Sequence, residues 1–81
     1  MAENLITAYL AEFAIVDTQE LAEELLIQAT SETKAKKFAE DYALNLGIDL
    51  FMMMPATEQQ IRLYRIMGKS VLLNPGGGDR L

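Results

Sequence analysis

Between positions 25 and 47 the spacing of apolar residues changes, and the change separates two kinds of structure. Leu25, Ile27 and Ala29 alternate with Leu26, Gln28 and Thr30, which is the period of a strand. From Ser31 onward the apolar face becomes Ala35, Phe38, Ala39, Tyr42 and Leu46, which is the period of a helix. Ser31 suits an N-cap, because its hydroxyl can accept from the free N–H groups of the first turn. Gly47 suits the stop, because it adopts the left-handed conformation without a side-chain clash. A helix is therefore expected over 32–46.

Residues 6–16 fit two periods. As a strand, Thr7, Tyr9, Ala11, Phe13 and Ile15 share one face, opposite Ile6, Ala8, Leu10, Glu12, Ala14 and Val16. As a helix, Leu5, Tyr9, Phe13 and Val16 line up. Aromatic and β-branched residues favour the strand and the alanines favour the helix. Asp17 and Glu20 have capping-box spacing, which would make 17–30 helical. Two successive helices would need a break before Ser31, and Ala29-Thr30 contains neither Gly nor Pro. The better reading is a β-hairpin of 6–16 and 22–30 joined by a loop at 17–21. An all-α bundle is the alternative.

The remainder is better punctuated. Residues 48–54 form a short apolar run between Gly47 and Pro55 and read as a strand. Thr57 and Gln60 have capping-box spacing, opening a helix from 58 to about 67 that Gly68 ends. Residues 70–73 suit a short edge strand. The run 74–81 reads as a flexible tail, leaving 1–73 as one α+β domain. The order is β-β-α-β-α, extended by the edge strand where it forms, in a mainly antiparallel sheet of three or four strands. Pairing the third strand with the first gives the order 2-1-3, as in a split β-α-β unit.

Composition adds a pressure toward association. Eighty-one residues are near the size at which one core is only just sufficient. The chain has no Cys and no His, so disulfides and the commonest metal ligands are excluded. No cofactor or metal is expected. Catalysis is not expected either, although Glu, Lys and Tyr remain as reactive groups. Oligomerisation is the stabilising route left.

The net charge of −5 is unevenly placed. Residues 1–33 hold Glu3, Glu12, Asp17, Glu20, Glu23, Glu24 and Glu32 and no base, while every Lys and Arg lies beyond them. An acidic half does not suit a phosphate backbone, so no nucleic-acid partner is expected. The start lacks the basic region of a signal peptide, and no apolar run approaches membrane-spanning length, so no membrane association is expected. The absence of cysteine fits a cytoplasmic protein.

Motifs for chemistry are weak. Gly68-Lys69-Ser70 resembles the end of a phosphate-binding loop, but Leu63 stands where the first glycine is needed. Gly76-Gly77-Gly78 lacks a flanking strand and helix. Glu23-Glu24 and Glu40-Asp41 are neighbours that cannot face one metal from regular structure, and each reads as a solvated face. Glu12 differs, because it falls among Leu10, Ala14 and Val16 on the strand expected to be central. Buried there, it would be a candidate proton carrier; at a rim, it would pair with a base of a neighbouring subunit.

Phe51-Met52-Met53-Met54 is the other unusual run. Methionine fills cores, yet it is also over-used at adaptable binding surfaces. Three consecutive methionines on a strand make both faces apolar, and an uncovered apolar face usually marks an interface. The candidate interface is Leu10, Glu12, Phe51, Met52, Met53 and Met54. The expected function is a small acidic homo-oligomeric interaction or regulatory module, most simply a dimer formed through the sheet. The alternatives are an acidic inhibitor or adaptor that docks on a basic protein surface, and a small-ligand-binding domain.

Overall fold

The computed structural model describes residues 6–73. The expected tail at 74–81 lies outside the described residues. Six elements follow in order: β1 (Thr7–Ala14), β2 (Leu21–Ala29), α1 (Glu32–Leu46), β3 (Asp49–Pro55), α2 (Glu58–Ile66) and β4 (Ser70–Leu72). The fold is α+β, and the N-terminal half is a hairpin, not a pair of helices.

The four strands form one sheet in the order β3-β1-β2-β4. β1 is antiparallel to both of its neighbours, and β4 adds to β2 in parallel. The first three strands thus have the 2-1-3 order that the short connections allow. The pairing shifts twice. Phe13 and Glu12 of β1 oppose Leu50 and Met52 of β3, leaving Phe51 as the extra residue of a bulge. Phe13 and Ala14 oppose Glu23 and Leu21, leaving Ala22 extra in β2.

Both helices form where their caps put them. The Ser31 hydroxyl accepts from the Lys34 N–H at 3.2 Å. At the other end Gly47 has φ 73°, and the Gly47 and Ile48 N–H groups donate to the Leu44 and Ala43 carbonyls. This is a Schellman closure, which satisfies the last carbonyls of the helix. α2 repeats the plan with a full capping box between Thr57 and Gln60, and a closure in which Gly68 and Lys69 donate to Arg65 and Tyr64. Gly68-Lys69-Ser70 thereby ends a helix and starts β4, which is no arrangement for a phosphate.

The two helices cover opposite faces of the sheet. On the front, α1 lays Ala35, Ala39 and Ala43, all buried, against Ala11, Phe13, Leu25, Ile27 and Ala29. The contact stripe is therefore made of alanines, and Phe38 and Tyr42 flank it half-buried. The ring of Tyr42 lies 5.2 Å from that of Phe13 and 6.0 Å from that of Phe38. Leu46, expected on the same stripe, is 52 % exposed. The Gly47 turn follows at once, and Ile48 packs against the core in its place.

On the back, α2 places Tyr64 and the half-buried Ile61 against Ala8, Leu10, Leu26 and Met54. Its ends are fixed by neighbouring backbone: the Ala56 N–H donates to the Ala8 carbonyl, and the Leu26 N–H to the Lys69 carbonyl. A nine-residue helix is about 13 Å long, close to the span of four strands set about 4.8 Å apart. α2 therefore crosses the sheet from the β3 side to the β4 side. It shields one end of the back face and leaves the hairpin end open.

Candidate functional site

The open end of the back face starts where alternation carries the apolar cluster into charge. Two residues beyond Leu10 stands Glu12, and two residues before Leu26 stands Glu24. The register sets Glu12 directly opposite Glu24 in adjacent strands, with Met52 of β3 opposite Glu12 on the other side. Glu12 and Glu24 are half-buried, and Met52 is 39 % exposed. Like charges facing each other across a ladder cost stability in an isolated sheet. Among the described residues no charged partner offsets them, since the one ion pair joins Lys37 to Asp41 on α1.

Glu24 does have a hydrogen-bond partner. The Tyr64 hydroxyl, carried by α2, donates to its carboxylate. The same device holds the front face, where the Tyr42 hydroxyl donates to Glu23 at 2.7 Å. Adjacent glutamates thus point to opposite faces, and each anchors one helix to β2. In the sequence both read as solvated, and the structure corrects this. The signal for them is a Tyr well inside each helix, matched to an acid pair in the middle of a strand.

These bonds alter the phenols. The Tyr64 pKa is pushed from 10.0 to about 12, first by the hydrogen bond to Glu24, then by burial and by the charges of Glu24 and Glu12. Tyr42 moves in the same direction for the matching reasons, with Glu23 as its partner. A phenol that ionises later in the folded state stabilises the fold fully below the unfolded pKa. That contribution is lost as the pH rises from 10.0 to about 12. An ultraviolet titration of the folded protein should therefore show a tyrosine step near pH 12 that Tyr64→Phe removes. A wild-type titration with no step in that region would contradict the Tyr64–Glu24 bond.

The residues singled out from sequence separate into three groups. Leu10 and Met54 lie under α2, and Met53 turns to the front face against the α1 layer, so these three belong to the core or its margin. Phe51 and Met52 reach the surface, with Phe51 57 % exposed. Glu12 sits beside them on the central strand. The structure therefore brings Glu12 and Met52 together with Glu24 and Tyr64, and places the bulged Phe51 next to that patch at the sheet edge.

Phe51 also borders a groove of about 360 Å³ between β3 and α1, with Leu50, Met52 and Met53 along one side and Glu32, Lys36 and Glu40 along the other. The three charged residues recur at intervals of four, so they form one row on α1. The groove is shallow and holds no convergent set of buried polar groups. Among the described residues no three His, Cys, Asp or Glu side chains come together as a metal site. No helix among them is long and apolar enough to cross a membrane. Comparison with protein-family models, curated proteins and solved structures found no match.

Proposed function

We propose that this chain is a self-associating interaction module that forms a dimer through its sheet. The observation that carries the reading is the exposure of Phe51 and Met52 on an edge strand, beside a sheet face that α2 covers only in part. A small domain that keeps its aromatic and thioether side chains in water gains by burying them against a copy of itself, since apolar burial is worth about 25 cal/mol per Å². Cysteine and histidine are absent, so neither disulfide nor the usual metal cross-link competes with this route. Two-fold pairing is the commonest closed arrangement and requires only one surface, used twice.

Sedimentation equilibrium at micromolar concentration should report about twice the chain mass of 9.0 kDa. Phe51→Ser and Met52→Ser alter exposed side chains, so both variants should keep the far-ultraviolet dichroism of the parent. Each should weaken the dimer, Phe51→Ser by roughly tenfold or more, as expected for an aromatic anchor. A wild-type chain that remains 9.0 kDa at high concentration would remove the basis of the reading.

A further inference from the structure

A second set of exposed apolar residues lies on the far side of α2. Leu63, Ile66 and Met67 are 52, 80 and 48 % exposed and recur at intervals of three and four, so they form one stripe turned away from Tyr64. Arg62 and Arg65 flank that stripe on one side, in a row that begins one turn earlier at Glu58, and none of the three joins an ion pair among the described residues. The outside of α2 is thus apolar along its crest, with two bases and one acid beside it. The open end of the back face is apolar and acidic, with Met52 and the exposed Leu21 around Glu12 and Glu24.

We infer that the open end of the back face receives α2 of a second copy, with Arg62 and Arg65 of each protomer paired to Glu12 and Glu24 of the other. This rests on the dimer reading above and specifies its geometry. Charge complementarity selects the occupant. Among the described residues neither the acidic patch nor the pair of arginines finds an ion pair within one protomer, and a copy carries both. Coverage agrees with it: α2 hides one end of a sheet face, and a second α2 related by a two-fold axis hides the other. Strand-to-strand pairing along the sheet edges is a poor competitor, although the side chains of Phe51 and Met52 at the β3 edge border the proposed contact. β3 is interrupted by the bulge at Phe51 and ends in Pro55, and β4 has three residues, all features that discourage edge-to-edge pairing.

The test uses two charge reversals on the whole chain, Glu12→Arg in one and Arg62→Glu with Arg65→Glu in the other. Each variant alone brings like charges together at both symmetry-related contacts of a homodimer, so its dissociation constant should rise by about tenfold or more. Mixed in equal amounts, the two should form a heterodimer. One of its contacts is the native set, and in the other the introduced arginine meets the introduced glutamates. Circular dichroism of each variant confirms that it is folded, and Glu12→Gln provides a milder variant that should weaken the dimer less than Glu12→Arg. If wild type dimerises and the reversals leave its mass unchanged, the pairing is wrong and the dimer reading stands. If the reversals give folded monomers that do not combine on mixing, the pairing is also overturned. A monomeric wild type overturns both.

Discussion

Phe13→Ala should lower the unfolding free energy by about 3–5 kcal/mol, the range seen when a fully buried aromatic is truncated. Phe13 is 0 % exposed and lies on the central strand, with Leu50 and Glu23 as its cross-strand neighbours and the ring of Tyr42 packed on it. Its removal leaves a void between the central strand and the α1 layer. Domains hold only about 5–15 kcal/mol in total, so the loss would bring this small fold close to unfolding at room temperature. Urea denaturation followed by circular dichroism measures it. A loss below about 1 kcal/mol would show that Phe13 is not packed as described.

Ala39→Leu should be damaging for the opposite reason. Ala35, Ala39 and Ala43 are the residues through which α1 meets the sheet, and beneath them lie two further buried alanines, Ala11 and Ala29. Where small residues face small residues, added methylenes can be accommodated only by lifting the helix, and overpacking of this kind costs about 1–3 kcal/mol or more. Leucine has no propensity disadvantage of note in a helix, so the loss would report packing alone. Leu44 supplies the control on the same helix: it is 78 % exposed, and Leu44→Ala should be within about 0.5 kcal/mol of wild type. Equal stabilities for Ala39→Leu and wild type would mean that the helix does not sit on its alanines.

The elements are legible in the sequence because their ends are marked chemically. Ser31 and Thr57 are strong starts, Gly47 and Gly68 are strong stops, and each does in the structure what its side chain or backbone freedom allows. The hairpin is legible by exclusion, since no breaker separates Ala29 from Ser31. Other features depend on tertiary placement and leave no local trace. Apolar size points to Phe38, Tyr42 and Leu46 as the contact of α1, whereas the closest approach uses Ala35, Ala39 and Ala43, because the facing strands also present alanine there. The bulge at Phe51 follows from how β3 meets β1 and has no signature within Asp49–Pro55. The same holds for the surface patch: Met52 and Glu12 lie in distant parts of the chain, and only the register makes them neighbours. Alternation is enough to set Glu12 among apolar residues of the central strand, while its opposition to Glu24 requires the hairpin register.

The unequal holds of the two helices have a consequence for how the fold opens. α1 buries three side chains in the front layer, whereas α2 buries Tyr64 alone and is followed by a strand of three residues. Local unfolding begins where the fewest apolar contacts must be broken, so α2 with β4 forms the lower-energy cooperative unit and the hairpin with α1 the higher one. Amide protons along α2 would then exchange with solvent through partial opening, long before those of β1 and β2, whose release requires global unfolding. Any contact that clamps the outside of α2 adds its energy where the molecule is weakest, and so stiffens it more than the same contact would on α1.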